Sequence, residues 1–274
     1  MDSFSLKSKT AVLTGAARGL GLAFAQVLAE AGANIAVLDV IQPDAALQQL
    51  EEKHHVRVRY HKTDVTSRDE VMDAIAKIEE ELGEIHINVN AAGVVTDEPF
   101  LTTSDRNLER TFAVNFTGSF LVAQACANSM VRRWERNGKR SQPDEGTSNG
   151  CIVFITSIAT HIASCAQQIS CYTASKAAVR GLVKPLAMEL SKYGIRVNSL
   201  SPGYMMTDMM RGLQTQQPQL VAQFEKETLF GRIGFPHELQ GALLFLCSQA
   251  SGWYTGQDLL VDGGASLWKH PAPL

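Results

Sequence analysis

The chain has 274 residues, of which 45% are hydrophobic and 19% are charged, and its formal net charge is −3. This composition is typical of a folded globular protein and gives no reason to expect a disordered chain or a nucleic-acid partner. Its five cysteines and seven histidines form neither a disulfide framework nor a metal-ligand spacing, so we expect reduced thiols and no metal site.

Short apolar segments alternate with helix-length segments along the chain. In chain order, the segments 10–13, 34–38, 56–60, 85–89, 151–155, 195–200 and 258–261 predict strands. Between them, the segments 21–31, 69–82, 108–130 and 172–193 predict helices. This alternation predicts one Rossmann-type α/β domain over residues 1–274, with a doubly wound, seven-stranded parallel sheet covered by helices on both faces.

One polar segment interrupts the alternation. Residues 132–149 are rich in turn-forming residues and basic in their first half, so they predict a long surface loop before the fifth strand. A solvated surface and contact with an anionic partner or a membrane surface both agree with this composition.

A glycine-rich segment directly follows the first predicted strand. It runs Thr14-Gly15-Ala16-Ala17-Arg18-Gly19-Leu20-Gly21 and leads into the first predicted helix. Glycines at this place permit a tight turn and let the backbone approach a pyrophosphate, while the positive end of the helix faces the same negative charge. The segment therefore predicts a dinucleotide site, although an ordinary glycine-rich turn has the same composition.

An acid, Asp39, ends the second predicted strand. A carboxylate there accepts hydrogen bonds from the adenosine ribose hydroxyls and repels a 2′-phosphate, which favours NAD over NADP as the cofactor. Arg18 is the opposing observation, because a basic residue in the glycine loop can bind a phosphate. A capping or turn role is the structural alternative for Asp39.

Tyr172 and Lys176 are four residues apart on the last predicted helix and share one of its faces. A phenol has a reference pKa of about 10, and a nearby ammonium favours its phenolate form, so the pair is suited to proton transfer. Ser157 follows the fifth strand, where its hydroxyl can hold a substrate oxygen beside the phenol. By itself, the Tyr-x-x-x-Lys spacing also occurs by chance.

In combination, these motifs resemble the short-chain dehydrogenase/reductase family over essentially the whole chain. The resemblance rests on residues 14–21, Asp64-Val65, Asn90-Ala91-Ala92-Gly93, Val114-Asn115-Phe116-Thr117-Gly118, Ser157, residues 172–176, Pro202-Gly203 and Val261-Asp262-Gly263-Gly264. It implies an NAD-dependent oxidoreductase that transfers a hydride between the cofactor and a secondary alcohol or ketone. It also implies a homotetramer or homodimer built on the long helices around Asn115 and Tyr172.

The resemblance assigns roles to the matching residues. It implies that Tyr172 is the acid/base, that Ser157 positions the substrate oxygen, and that Lys176 holds the nicotinamide ribose and lowers the pKa of the phenol. Asn115 would support a proton-relay water by kinking its helix. The implied cofactor site comprises Gly15, Arg18, Gly19, Leu20, Gly21, Asp39, Asp64, Val65, Asn90, Gly93, Tyr172, Lys176, Pro202, Gly203 and Thr207, with Ile155 and Thr156 behind the nicotinamide.

Two departures from the family pattern lie in and after the fourth predicted strand. Ala91 replaces the second asparagine of the usual Asn-Asn-Ala-Gly, which removes one hydrogen bond at the end of the strand. His86 and Asn88 stand where an acid and an apolar residue are usual. A buried Asn88 needs hydrogen-bonding partners, which the sequence does not identify.

The segment between Ser157 and Tyr172 resembles the fungal polyol-type members of the family, which include mannitol and arabinitol dehydrogenases and sorbose reductase. It carries Ile158-Ala159-Thr160-His161-Ile162 and Gln167-Gln168, with Thr160 in place of a glycine and Ala163 in place of an asparagine. This resemblance suggests a fungal source. It makes His161 a candidate substrate ligand, with a structural histidine as the alternative.

The segment 204–235 is the expected substrate loop. Tyr204, Met205 and Met206 are its candidate substrate contacts, and four methionines between 205 and 210 predict a soft apolar wall. Sugar hydroxyls need fixed polar partners, so this wall favours a larger, less polar carbonyl compound over a polyol or ketose. Packing of the methionines against the core is the structural alternative.

Two functions of other classes can use the same fold, namely a nucleotide-binding regulatory protein and a redox-neutral isomerase or cyclase. The complete set of four catalytic candidates favours the oxidoreductase. The N-terminal residues lack the apolar stretch of a signal peptide, and no apolar run has membrane-spanning length. We therefore expect a cytoplasmic enzyme with a small-molecule substrate and with neither nucleic acid nor membrane as a partner.

Overall fold

The computed structural model describes residues 2–43, 45–138 and 148–267. Seven strands of this described part form one sheet: β1 (Thr10–Thr14), β2 (Asn34–Asp39), β3 (Val58–Lys62), β4 (Ile87–Asn90), β5 (Gly150–Ile155), β6 (Ile195–Pro202) and β7 (Asp258–Val261). Every neighbouring pair is parallel, and the strand order is β3-β2-β1-β4-β5-β6-β7. The predicted Rossmann-type parallel sheet is confirmed, although β3 begins later than its sequence pattern indicates.

Helices cover both faces of the sheet. They are α1 (Gly19–Glu30), α2 (Ala45–His54), α3 (Arg68–Leu82), α4 (Asp105–Phe112), α5 (Ser119–Arg136), α6 (Ser170–Leu190), α7 (Asp208–Gln216), α8 (Pro218–Glu227) and α9 (Gln240–Cys247). Four of them, α2, α7, α8 and α9, are not predicted from the sequence pattern. The helix predicted over 108–130 is two helices, α4 and α5, joined by a π-helical turn over Ala113–Gly118.

Alternate strand residues point to opposite faces of the sheet, as the two-residue repeat of a strand requires. Leu13 and Val37 pack with α1 and α9 in one core, whereas Val12 and Leu38 pack with α3, α5 and α6 in the other. Both faces of the central strands are therefore buried, which explains their continuous apolar sequences. A third, smaller cluster beneath α7 and α8 consists of Val221, Phe224 and Ile233.

Hydrogen bonds to β1 compensate for the two unusual polar residues at β4. Burial lowers the pKa of His86 to about 3, so its neutral ring accepts a hydrogen bond at Nδ1 from the Thr10 N–H at 3.2 Å. Asn88 is fully buried, donates to the Val12 carbonyl at 3.3 Å and accepts from the Asn90 side chain at 2.7 Å. These bonds are the partners that a buried Asn88 requires.

The surface loop predicted over 132–149 is wrong in its first part, because residues 132–136 continue α5. Residues 139–147 lie outside the described residues, so contact of this loop with an anionic partner or a membrane surface stays a prediction. Within the described ranges, no helix is both long and apolar enough to cross a membrane.

Candidate active site

A cavity of about 1470 Å³ opens at the carboxyl ends of the strands, where the order of the chain reverses between β1 and β4. Open α/β sheets bind ligands at such a switch point. Ligand pockets typically measure about 300–1,000 Å³, so this cavity has room for a dinucleotide and a second molecule. We call the wall from the glycine loop to the loop after β4 the cofactor end, and the wall formed by residues 157–170 and 204–210, apart from Thr207, the substrate end.

The glycine loop presents backbone rather than side chains to the cavity. The helix α1 begins at Gly19, and the preceding Arg18 gives it no side-chain cap, so its first N–H groups can bind an anion. Gly19 has a φ of +60°, and a Cβ there would meet no described atom within 4 Å. A Cβ on Gly21 would lie 2.2 Å from the Gly15 carbonyl oxygen, so glycine is required. This cradle fits the diphosphate of a dinucleotide.

Asp39 ends β2 with its carboxylate at the cavity wall. One oxygen accepts a hydrogen bond from the Ala17 N–H at 3.0 Å, and the other accepts from the Ile41 N–H at 3.1 Å. Asp39 therefore stabilises the turn after β2 and also lies at the cofactor end. Val40 and Ile41 continue this wall with exposed apolar side chains, while the exposed Arg18 lines the cavity from the glycine loop.

Asp64, Val65 and Gly93 line the cavity at the positions expected for an adenosine site, but Asn90 does not. Its side chain is 1% exposed, donates to a neighbouring side chain of β4, and leaves Oδ1 without a partner in the described part of the chain. The expectation that Asn90 lines the adenosine site is therefore corrected. Thr14 holds the loop after β4, because its hydroxyl accepts hydrogen bonds from the N–H groups of the first two residues of that loop.

Asn115 is fully buried in the π-helical turn and stands behind the cavity wall. Its amide exchanges two hydrogen bonds with the backbone of Val94, at 2.8 and 3.0 Å, and donates a third to the Ser175 hydroxyl at 2.9 Å. The Ser119 hydroxyl donates to the Asn115 carbonyl at 2.7 Å. The helix is distorted at Asn115 as expected, and this residue ties the loop after β4 to α6.

Tyr172, Lys176 and Ser157 meet where α6 and the end of β5 share the cavity wall. Ser157 is the hydrogen-bonding neighbour that lowers the pKa of Tyr172. Lys176 donates from Nζ to the Ile155 carbonyl at 2.8 Å, and this Nζ lies 6.0 Å from the centre of the Tyr172 ring. A Cβ on Gly93 would lie 3.2 Å from the same Nζ, so the loop after β4 closes over the ammonium.

Burial dominates the pKa shifts of Tyr172 and Lys176. It raises the pKa of Tyr172, and the hydrogen bond with Ser157 opposes that shift. It lowers the pKa of Lys176 to about 8. Without a bound cofactor, the pKa of Tyr172 is therefore raised, because desolvation disfavours the phenolate. This is the opposite of the lowering that is expected from Lys176.

The expected substrate loop contains α7 and α8. The lining residues from this loop and from the Pro-Gly pair before it are Pro202, Gly203, Tyr204, Met205, Thr207, Asp208, Met209 and Met210. Met206 is expected to contact substrate, but it packs on the small cluster beneath α7 and α8 instead of lining the cavity. The methionines thus serve both as a wall and as core packing.

Two acids that no sequence motif marks organise the polar groups around the substrate end. Glu227 of α8 accepts hydrogen bonds from Tyr204 at 2.7 Å and from Ser164 at 3.0 Å. Asp258 of β7 lies 2.6 Å from Nε2 of His161. Because His161 does not line the cavity, its proposed contact with substrate is corrected in favour of a structural role. The partners of each acid are distant in sequence, so residue spacing gives no signal for these bonds.

Comparisons with known proteins find relatives over nearly the whole chain. A family model described as enoyl-(acyl carrier protein) reductase matches residues 15–266. A sorbose reductase of Candida albicans is 34% identical over 267 residues, which are 96% of this chain and 89% of the relative. An L-rhamnose 1-dehydrogenase (NADP(+)) of Thermoplasma acidophilum is 35% identical over 261 residues, which are 94% of this chain and 96% of the relative. The crystal structure of a gluconate 5-dehydrogenase from Burkholderia cenocepacia in complex with NADP and tartrate has a TM-score of 0.86 at 34% identity, and the match covers 98% of this chain and 99% of that chain.

Proposed function

This chain belongs to the short-chain dehydrogenase/reductase family, and from that premise we propose that it transfers a hydride between NAD(H) and a ketone or secondary alcohol that is larger and less polar than a sugar. Redox chemistry at a CH–OH group follows from family membership. One observation carries the choice of substrate: the hydroxyls of Ser164 and Tyr204 at the substrate end are bonded to a protein carboxylate.

Apolar side chains dominate the rest of the substrate end. They are Ile158, Ala159, Ile162, Ala163, Ile169, Met205, Met209 and Met210. A sugar bound against them would compete with the existing bonds of Ser164 and Tyr204 or leave its own hydroxyls unpaired. Each unpaired buried polar group costs about 1–3 kcal/mol, so this wall favours an apolar substrate.

The proposed chemistry uses the trio at the junction of the two ends. In the reducing direction, Tyr172 gives its phenolic proton to the substrate oxygen, and Ser157 donates a hydrogen bond to the same oxygen. Lys176 places a buried positive charge near the phenol, which stabilises the phenolate that remains. Asn115 holds α6 through Ser175 and so fixes the helix that carries the phenol. The nicotinamide cofactor, when bound, supplies or accepts the hydride.

The same proposal assigns a cofactor site. The residues that would hold the dinucleotide are Gly15, Arg18, Gly19, Leu20, Gly21, Asp39, Asp64, Val65, Gly93, Tyr172, Lys176, Pro202, Gly203 and Thr207. NAD is favoured because two backbone N–H groups fix the Asp39 carboxylate at the cavity wall. The apolar side chains of Val40 and Ile41 also offer no positive charge to a 2′-phosphate. Two observations favour NADP instead, namely the positive charge of Arg18 and the NADP named for two related proteins.

A polyol or ketose is the second candidate substrate. The relatives named for sorbose, L-rhamnose and gluconate favour it. Gln167, Gln168 and Ser170 also line the cavity, and their polar groups are suited to sugar hydroxyls. The two candidates differ in whether these three residues or the methionines contact the substrate.

A substrate and cofactor panel tests both choices. The purified protein is mixed with NADH or NADPH and with ketones that range from ketoses to bulky apolar ketones, and the absorbance of the reduced cofactor is followed. We expect the fastest turnover with NADH and a bulky ketone. Turnover of ketoses alone would assign the enzyme to polyols, and a preference for NADPH would mean that Arg18 outweighs Asp39. Tight NADH binding without turnover of any ketone would contradict hydride transfer.

Self-association as a homotetramer or homodimer is part of the same proposal. Exposed apolar side chains at Phe100, Leu101, Met188 and Trp253 support it, because large exposed apolar groups often mark interfaces. Sedimentation equilibrium measures the mass in solution, and a strict monomer would contradict this part of the proposal. A cytoplasmic location stays a prediction.

A further inference from the structure

Asp258, the first residue of β7, is the centre of a polar cluster beside the active site. Its side chain is 9% exposed. The groups around its carboxylate are Ser199 Oγ at 2.5 Å, Ser201 Oγ at 2.9 Å, Thr156 Oγ1 at 3.2 Å, His161 Nε2 at 2.6 Å and Arg180 Nε at 3.4 Å. We call these side chains the Asp258 cluster. They come from β6, β7, α6, the residue directly after β5 and the turn after Ser157.

The Asp258 cluster holds the chain on both sides of Ser157. Thr156 directly precedes Ser157, and the short helical turn Ile158–Thr160 follows it and ends at His161. Inside this turn, the N–H and the hydroxyl of Thr160 both donate to the Ser157 carbonyl, at 3.0 and 2.9 Å. Two side chains that contact the carboxylate therefore flank the turn that carries the Ser157 hydroxyl.

Arg180 joins this turn to the helix that carries Tyr172. It lies on α6 about two turns beyond the phenol. Its guanidinium contacts the Asp258 carboxylate and also donates from Nη1 to the Thr160 carbonyl at 3.2 Å. Because Arg180 and Tyr172 share one helix, the cluster sets the position of the Ser157 turn relative to the phenol.

Cohesion of the sheet alone does not account for this arrangement. The backbones of β6 and β7 are already paired from Ser199 with Asp258 to Pro202 with Val261. The hydroxyls of β6 would suffice to solvate a carboxylate at that edge. An imidazole and a guanidinium are added from outside the sheet, beyond what solvation of the carboxylate requires. Both additional groups come from the elements that carry the proposed catalytic residues.

We propose that His161, Arg180 and Asp258 are positioning residues that hold the Ser157 hydroxyl within hydrogen-bonding distance of the Tyr172 phenol. None of the three lines the cavity, so their influence on the reaction passes through Ser157. The proposal rests on the role proposed above for Ser157, and its test therefore includes a variant of that residue.

Two substitutions of His161 separate the hydrogen bond from the volume of the side chain. Glutamine carries its Nε2 three bonds beyond Cβ, as histidine does, so His161→Gln keeps a donor to Asp258, whereas His161→Leu removes it. We expect His161→Leu to lower kcat about 100-fold, the loss associated with a 1 Å misplacement, with the Kd for NADH and the ketone KM nearly unchanged. His161→Gln should recover most of kcat. An unchanged kcat in His161→Leu, or equal losses in both variants, would contradict the proposal.

Arg180→Gln is a second variant that keeps the test open if His161→Leu does not fold. The Arg180 side chain is 39% exposed, so its replacement disturbs the core less. We expect kcat to fall about tenfold, because the turn loses its hydrogen bond to α6 while Thr156 and His161 still hold it. Arg132→Gln is the matched control, since Arg132 is 48% exposed and pairs with Glu79 at 2.9 Å on α5 and α3. A loss of kcat as large in the control as in Arg180→Gln would contradict the proposal.

A double-mutant cycle distinguishes positioning from general support of the fold. Ser157→Ala should lower kcat at least as far as His161→Leu does, and the double variant should be no slower than Ser157→Ala alone, because the cluster acts through that hydroxyl. Additive losses would show that the cluster supports the fold and would overturn the positioning role. Full activity of Ser157→Ala would instead overturn the proposed function of Ser157, so the two failures are distinguishable.

Discussion

The cofactor end and the substrate end of the cavity are built from different parts of the chain. Backbone and small residues form the cofactor end, where α1 begins without a side-chain cap and Gly21 leaves no space for a Cβ. Long side chains form the substrate end, and their placement depends on bonds such as that between Tyr204 and Glu227 at 2.7 Å. The cofactor end depends on backbone conformation at the glycine loop, which local sequence fixes, whereas the substrate end depends on side chains that distant residues hold in place.

This difference explains why the cofactor end, and not the substrate end, has a recognisable sequence motif. A wall made of backbone restricts the residue types that can form it, because any added atom collides with the chain or the ligand. A wall made of side chains accepts many residues of similar size and polarity. A change of substrate therefore requires new side chains at the substrate end, while the sheet and the cofactor end remain the same.

Tyr172→Phe has the largest expected effect, because it removes the acid/base at the junction of the two ends. We expect kcat to fall about 10²- to 10⁴-fold with NADH binding retained, since the ring and its packing remain. Tyr193→Phe is the matched control, because Tyr193 packs edge-on against Trp134 outside the cavity lining and should keep full activity. Steady-state kinetics and NADH fluorescence measure the two quantities. Full activity of Tyr172→Phe would refute the proposed proton transfer.

Gly21→Ala tests whether backbone alone forms the cofactor end. The added Cβ would meet the Gly15 carbonyl oxygen at 2.2 Å, which forces the loop to move. Overpacking of this kind costs about 1–3 kcal/mol, so we expect NADH affinity to fall roughly five- to 150-fold. Gly181→Ala on α6 is the control, because its Cβ would meet no described atom within 4 Å. Equal NADH affinities in the two variants would show that the loop tolerates side chains.

Lys176 provides a pH-dependent test of the junction. Burial lowers its pKa to about 8 from 10.5, so the unfolded state binds more protons between these values and the free energy of unfolding rises with pH there. Between pH 7.5 and 9.5, we expect the wild type to gain about 1–2 kcal/mol relative to Lys176→Met. Denaturant unfolding of the cofactor-free protein measures this difference. The range ends below pH 10 because the raised pKa of Tyr172 acts in the opposite direction above it. If the free energies of unfolding of the two proteins changed with pH in parallel, the lowered pKa of Lys176 would be disproved.

The sequence predicts the sheet and most of the cofactor end for physical reasons. The five inner strands of the sheet are buried on both faces and therefore largely apolar, and the glycine loop requires glycine. Tyr172 and Lys176 share a helical face wherever the helix begins or ends, so their proximity follows from their four-residue spacing alone. These features depend on neighbours within a few residues, which a single sequence records directly.

Side-chain orientation at the substrate end depends on distant partners, and there the sequence-based predictions fail. His161 bonds to Asp258, and Met206 packs on the small cluster beneath α7 and α8 instead of lining the cavity. At the cofactor end, Asn90 also fails to line the cavity, although its partner Asn88 is only two residues away. The helices α7 and α8 do carry local signals. Thr207 caps α7 by accepting from the Met210 N–H at 3.4 Å, and Pro218 begins α8, as is common for proline. Glu227 carries no such signal, because its partner Ser164 is 63 residues away.

Tyr204→Phe has the smallest expected effect and tests whether side-chain bonds shape the substrate end. Burial and the hydrogen bond to Glu227 raise the pKa of Tyr204, so its hydroxyl stays protonated and donates. Removing one such bond costs about 1 kcal/mol, so the ketone KM should rise about fivefold while the Kd for NADH stays constant. Tyr60→Phe is the mirror control, since the Tyr60 hydroxyl donates to the Asp39 carbonyl at 3.2 Å at the cofactor end. It should leave the ketone KM unchanged, and the opposite pattern in the two variants would remove the distinction between the ends.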